Sequence, residues 1–232
     1  MDGLRYKFYE LGDEHKILTL FELVYGKEIS LDWWRWRFLE NPIDKPKIAL
    51  CFNGRNLVGH YAVSPFEFYN DGTLQKAALS MTTMTHPDYE SRGLFTTLAN
   101  MLYDDLRGSN YHYIFGFPNK DSHGVFVNKL KWQDIGLIHT LAHNSATLNA
   151  ACRNPKIDTL SVSRVSEFLE STPTLARSGI NFSSRFINWR VATGSGNVYF
   201  MVRDPSISTS GFIIFKYYTA NSLDIVFCSG TD

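Results

Sequence analysis

The chain has 232 residues, 44% of them hydrophobic and 20% charged, which supplies apolar surface for one core or two and excludes disorder over most of its length. Lys and Arg number 23 and Asp and Glu number 23, a balance that argues against a broad nucleic-acid or anionic-membrane surface but allows a local basic pocket. Cys51, Cys152 and Cys228 are too far apart for a disulfide framework or a zinc site, so no metal is expected and a reducing cytoplasm fits best. Residues 1–7 lack the apolar stretch of a signal peptide, and no apolar run is long enough to span a membrane.

Taken in order, residues 13–25 predict a helix with Ile17, Leu20, Phe21 and Val24 on one stripe. Asp32 is the expected cap of a second helix, which carries the run Trp33, Trp34, Arg35, Trp36, Arg37, Phe38 and stops near Asn41 and Pro42. Residues 47–52 and 57–63 read as strands joined by a turn at Asn53 and Gly54. A second turn at Asn70, Asp71 and Gly72 leads into a strand over 74–85, ended by His86 and Pro87. Leu94, Leu98, Leu102 and Leu106 then recur every four residues and define a strong amphipathic helix. Residues 111–117 read as a buried strand, 118–124 as a loop and 125–130 as a short helix.

Beyond residue 140 the character changes. Residues 140–158 read as a connector, 162–169 as a helix, and 197–202, 211–218 and 223–227 as strands. Trp36 falls on Trp189 at an offset of 153, Lys47 on Asn197 at 150, and Gly59 on Gly211 at 152. These near-equal offsets predict a partial internal repeat that stops before a second copy of the Leu-rich helix. The expected division is therefore 1–140 and 141–232. The fold expected is α/β, a mixed and mostly antiparallel sheet flanked by helices, with the smaller repeat beside it.

Chemistry concentrates in residues 75–132. A strand that enters a polar turn at Arg92 and Gly93 and then a helix aims main-chain N–H groups, with the helix's partial positive charge, at one point. That arrangement suits a diphosphate. His86 ends the strand and His123 follows Asn119 by four residues; a histidine, with an ordinary pKa of about 6.5, can take a proton from an ammonium at neutral pH. Glu67 and Glu90 are further candidates through a bridging water, and His112 reads as structural. The aromatic run suggests Trp34 stacking on a base, with Arg35 and Arg37 on a diphosphate; the recurrence of Trp-Arg at residue 189 favours packing for the tryptophans and leaves Arg35 or Arg37 as the better ligand candidates.

The stretch Thr85-His86-Pro87-Asp88-Tyr89-Glu90-Ser91-Arg92-Gly93-Leu94-Phe95-Thr96-Thr97-Leu98 resembles the acyl-CoA-binding motif of the GNAT N-acetyltransferase superfamily. Phe117-Pro118-Asn119, Ser122, Phe126 and Lys129-Leu130-Lys131-Trp132 are similar to its second half. Residues 34–42, ending Glu40-Asn41-Pro42, resemble the opening seen in a branch frequent in bacterial surface-polysaccharide pathways. The resemblance implies acetyl-CoA or a longer acyl-CoA as cofactor. Its diphosphate would lie on Ser91, Arg92, Gly93, Leu94, Phe95 and Thr96, its pantetheine beside Met84, and Asn119 and Ser122 would contact it. It implies acyl transfer to a small primary amine, a nucleotide-linked amino sugar first, with an aminoglycoside, a polyamine or a protein N-terminus as alternatives; homo-oligomers are compatible with it. Phe126 occupies the position where many members carry a general-acid tyrosine, which leaves a catalytically silent acyl-CoA-binding module as the rival reading.

Overall fold

The computed structural model describes residues 3–138, 156–159, 178–203 and 212–229. Residue contacts divide the chain into two compact units, Met1–Trp132 with Thr174–Trp189, and Gln133–Pro173 with Arg190–Asp232. The first unit thus combines the N-terminal stretch with a later segment.

In the first unit β1 (Leu4–Phe8), α1 (Glu14–Tyr25) and α2 (Leu31–Phe38) precede three long strands, β2 (Lys47–Asn53), β3 (Asn56–Asn70) and β4 (Thr73–Thr85). α2 is capped by Ser30, whose Oγ accepts the Trp33 N–H at 3.1 Å; Asp32, the expected cap, lies inside the helix. β1 to β4 form an antiparallel meander. β3 outruns β2, and beyond Val63 its free edge is met at Phe68 and Tyr69 by β7 (Gly179–Ile180).

α3 (Leu94–Gly108) lays its leucine stripe on this sheet. Leu94, Leu98, Leu102 and Leu106 are all but fully buried against Cys51, Val58, Tyr61, Val63 and Ala78. At roughly 1.5–3 kcal/mol for each buried leucine, this stripe fixes where the helix begins. A second cluster joins Ile17, Leu20, Phe21, Trp34 and Phe38 of α1 and α2 to Ile48, Leu50, Phe52, Ala62 and Met84 of the sheet.

Among the described residues β5 (Tyr111–Gly116) is the one strand that pairs parallel in this sheet, from Lys76 opposite Tyr111 to Ser80 opposite Gly116. There the two strands part. β4 continues to Thr85, while the other strand turns away through Phe117 and Pro118, which has no N–H to offer a ladder. Gly116 permits the separation to be filled closely. A Cβ there would lie 3.2 Å from the Trp132 ring and 3.4 Å from the Ser80 Cβ. β5 is half exposed rather than buried, and His112 is exposed, because this strand edges the sheet. α4 (Lys120–Asn128) starts five residues earlier than expected, since Asn119 is its cap.

α5 (Ser184–Arg190) packs on α2 through a reciprocal pair. Trp36 Nε1 donates to the Trp189 carbonyl and Trp189 Nε1 to the Trp36 carbonyl, each at 2.8 Å, with the rings stacked at 5.4 Å. The contact is reciprocal, as in a self-complementary pair, and joins residues 153 apart. In the second unit β6 (Lys156–Thr159), β8 (Phe200–Arg203), β9 (Phe212–Thr219) and β10 (Ser222–Ser229) form an antiparallel sheet in the order β10-β9-β8-β6. That is the order of β4-β3-β2-β1 again. The β8–β9 ladder runs from Phe200 opposite Phe215 to Arg203 opposite Phe212, antiparallel like the β2–β3 ladder. The helix expected over 162–169 and most of the connector lie outside the described residues.

Trp36→Ala and Trp189→Ala are each expected to cost about 3–5 kcal/mol, and the double variant clearly less than their sum, because either single change already removes the stacked contact between the two indoles. Urea unfolding of the four proteins measures this; additive losses would show that the pair does not act as a unit.

Candidate active site

β4 does not run straight to its end. Its pairing with β3 steps from Met84 opposite His60 to Met81 opposite Ala62, so Thr82 and Thr83 together face Tyr61 in a bulge. Thr82 has φ +52°, in the left-handed region that β-branched residues avoid. Two side chains hold it there. His60 Nδ1 lies 2.7 Å from the Thr82 carbonyl and Tyr25 Oη donates to the Thr83 carbonyl at 3.0 Å. A carbonyl only accepts, so His60 carries its hydrogen on Nδ1. Its Nε2 is buried and has no partner among the described residues. Burial therefore pushes the His60 pKa from 6.5 down to about 4.

After Thr85 the chain makes a single 3₁₀ turn, Pro87–Tyr89, and reaches Ser91 at φ +60° and Gly93 at φ +79°. Gly93 is the N-cap of α3 and supplies no side chain to cap it. A Cβ at Gly93 would meet only the Thr96 hydroxyl, at 3.8 Å. The Thr96 hydroxyl donates to the Gly93 carbonyl, and the first intrahelical N–H bond is that of Thr97. The N–H groups of Leu94, Phe95 and Thr96 thus open outward at the positive end of a 15-residue helix. Arg92 lies over the Tyr89 ring at 4.8 Å beside them. This turn suits a diphosphate: main-chain donors, an open left-handed glycine and an adjacent guanidinium.

The other expected residues are distributed as follows. His86 caps the 3₁₀ turn, its Nδ1 accepting the Asp88 N–H at 3.2 Å, and its ring stands edge-on to Tyr89. It lines a cavity of about 330 Å3 between α1 and the β2–β3 hairpin, with Lys16, Arg55, Leu20, Val58 and Tyr89. His123 is exposed in the first half of α4 rather than in a loop. Asn119 and Ser122 cap that helix together: the Asn119 Oδ1 accepts the Ser122 N–H at 2.9 Å and the Ser122 hydroxyl at 2.8 Å. Met84 is buried, so only its main chain is available beside the fork between β4 and β5. Phe126 is buried against Phe95 and Trp132, a packing role that explains an aromatic without a hydroxyl.

Trp34 contradicts the expectation of a stacking platform. It is fully buried between Tyr9 and Phe38, and no ring face is open to a ligand. Arg37 is engaged with the Ser64 hydroxyl, the Met81 sulfur and the Trp189 ring, whereas Arg35 is exposed. Glu67 is bound by Arg185 and by the Asn181 amide, which ties it to the segment that packs on β3. Glu90 is exposed.

One polar chain had no signal in the sequence. Trp132 Nε1 donates to Tyr103 Oη at 3.0 Å, Tyr103 lies 2.9 Å from Tyr61 Oη, and Tyr61 lies 2.7 Å from Ser80 Oγ. It ends where the parallel strands part. Burial raises the pKa of both tyrosines and keeps them protonated. Among the described residues no group of His, Cys, Asp and Glu is arranged to hold a metal, and no helix is long and apolar enough to cross a membrane.

The arrangement defines a class, and the comparisons agree with it. The Acetyltransferase (GNAT) domain family matches residues 5–133, more than half of the chain, and the protein belongs to that family. Its fold is also that of a probable N-acyltransferase from Enterococcus faecalis V583 (TM-score 0.68, 12% identity, covering 97% of this chain and 57% of that one). A GCN5-related N-acetyltransferase from Kribbella flavida aligns with TM-score 0.70 and 14% identity over 99% of this chain and 57% of its own. N-myristoyltransferase from Saccharomyces cerevisiae with bound myristoyl-CoA gives 0.58 and 12% over 93% and 57%. The chain therefore spans a little over half the length of these structures. No curated protein matches it in sequence.

His60 makes stability depend on pH. Its folded pKa lies below its unfolded one, so its contribution is complete above pH 6.5, declines as pH falls towards 4, and is flat below. The loss is about 3 kcal/mol at about 1.4 kcal/mol per unit. Thermal melts across pH 7 to 4 should show this slope in the wild type and not in His60→Leu; equal slopes would assign the acid sensitivity elsewhere.

Proposed function

We propose that this protein is an acyl-CoA-dependent N-acyltransferase acting on a primary amine. The observation that carries the reading is the mouth of α3, an uncapped row of N–H groups beyond the open end of β4. A bound acyl-CoA supplies an activated thioester. The chain's part is to hold the diphosphate on residues 91–96, to align the pantetheine along the main chain near Met84, and to accept the proton that the attacking amine releases. As the amine nitrogen bonds to the carbonyl carbon, the C–S bond breaks and the thiolate takes up a proton. With Phe126 in place of a tyrosine, that last proton comes from solvent or from the acceptor's own ammonium.

His86 and His123 are the candidates for the base. His86 faces the cavity, and taking a proton on Nδ1 would require it to give up the Asp88 N–H bond. The acceptor is read as an amine that also carries an anion, with a nucleotide-linked amino sugar as the specific case. Lys16 and Arg55 have no ion-pair partner among the described residues, and both border the cavity that holds His86, where they outnumber its one carboxylate, Asp88. Phosphates suit such a rim better than a polycationic aminoglycoside or polyamine does. The buried Phe126 favours one other reading, an acyl-CoA-binding module without turnover.

Gly93→Asp is expected to weaken CoA binding at least tenfold by calorimetry, because it adds negative charge at the helix mouth and strains a left-handed position. Unchanged affinity would place the cofactor elsewhere. Thiol release from acetyl-CoA should appear with a phosphorylated amino sugar and fall about 10²–10⁴-fold in His86→Asn or His123→Asn, whichever is the base. Binding without release across a broad amine panel would favour the silent module.

A further inference from the structure

Resting on the acyl-transfer reading, we infer that His60 and Tyr25 are positioning residues which hold the β4 bulge in the geometry needed for turnover. A peptide is planar and trans, so its N–H points opposite its carbonyl. Fixing the Thr82 carbonyl on His60 Nδ1 and the Thr83 carbonyl on Tyr25 Oη therefore fixes the directions of the Thr83 and Met84 N–H groups as well. Those two peptide planes lie beyond Ser80, in the part of β4 that has left its parallel neighbour and that borders the expected path of the pantetheine.

The conformation needs external support. A threonine at φ +52° costs of order 1–3 kcal/mol and persists only where its surroundings over-determine it. The two clamps come from different elements. His60 stands on β3 within the core, edge-on to Phe38, and can use only one ring nitrogen there. Tyr25 ends α1, packs its ring on Phe21 at 4.6 Å and is itself 44% exposed. Neither residue forms part of the α3 mouth that grips the diphosphate. The pair should therefore act on the reacting end of the cofactor and leave its affinity alone, a separation that a merely structural role would not produce.

The experiment compares wild type, Tyr25→Phe, His60→Leu and His60→Asn for kcat in thiol release, for CoA affinity by calorimetry, and for melting temperature. Tyr25→Phe keeps the ring and loses the hydroxyl; it is expected to lower kcat about three- to tenfold with CoA affinity unchanged and the melting temperature lowered by at most a few degrees (about 2–4 °C for a lost hydrogen bond). His60→Leu should lower kcat at least tenfold with affinity within about twofold. His60→Asn places an amide N–H near the Nδ1 position and should restore most of that loss. Turnover in the wild type with unchanged kcat in Tyr25→Phe and His60→Leu would overturn the clamp alone. A parallel loss of affinity and kcat, or no recovery in a folded His60→Asn, would also overturn it. No thiol release by the wild type would overturn the acyl-transfer reading and the clamp together.

Discussion

The structure depends on a parallel strand pair that must come apart. β4 and β5 are joined only from Lys76 to Ser80, and the five residues of β4 beyond that point have no neighbour on that side in the described sheet. An unpaired main chain inside a fold is unfavourable unless something else satisfies it. Here side chains and a bulge take that part. His60 and Tyr25 hold two carbonyls, and Gly116 admits Trp132 to close the base of the fork. What is left open is a strand edge leading directly into the mouth of a helix.

The mouth is held in place by packing far from it. Four leucines spaced by a turn bind α3 to the sheet, and they leave its first turn, with Gly93 as cap, facing outward. An apolar stripe thus sets the position of a polar site. The same division of labour applies to the aromatic residues: Phe95, Phe126 and Trp132 fill the region below the fork, while Tyr61, Tyr103 and Ser80 run a hydrogen-bonded line through it.

Local patterns were legible in the sequence and distant partnerships were not. The leucine period defined α3, and the Asn-Gly and Asp-Gly turns defined both hairpins, because each signal lies within a few residues. The family resemblance directs Asn119 towards a cofactor, and its side chain caps α4; a cap and a ligand contact use the same chemistry, and the motif does not separate them. Trp34 can be either platform or core in the sequence, because a helix face cannot be assigned without knowing what packs on it; the core claims that face. His60, Tyr25 and Tyr61 carry no motif at all, since their partners lie 19 to 58 residues away. The tryptophans at 36 and 189 were the exception. A shared offset of 153 pointed to equivalence, and the two indoles bond to each other's main chain.

Amide hydrogen exchange with and without CoA tests the central claim most directly. Protection should rise on adding CoA at residues 91–96 and along 82–85, and should leave the α1–α2 segment's exchange rates nearly unchanged. Protection confined to other surfaces, with the opening turn of α3 exchanging as fast as before, would contradict the account.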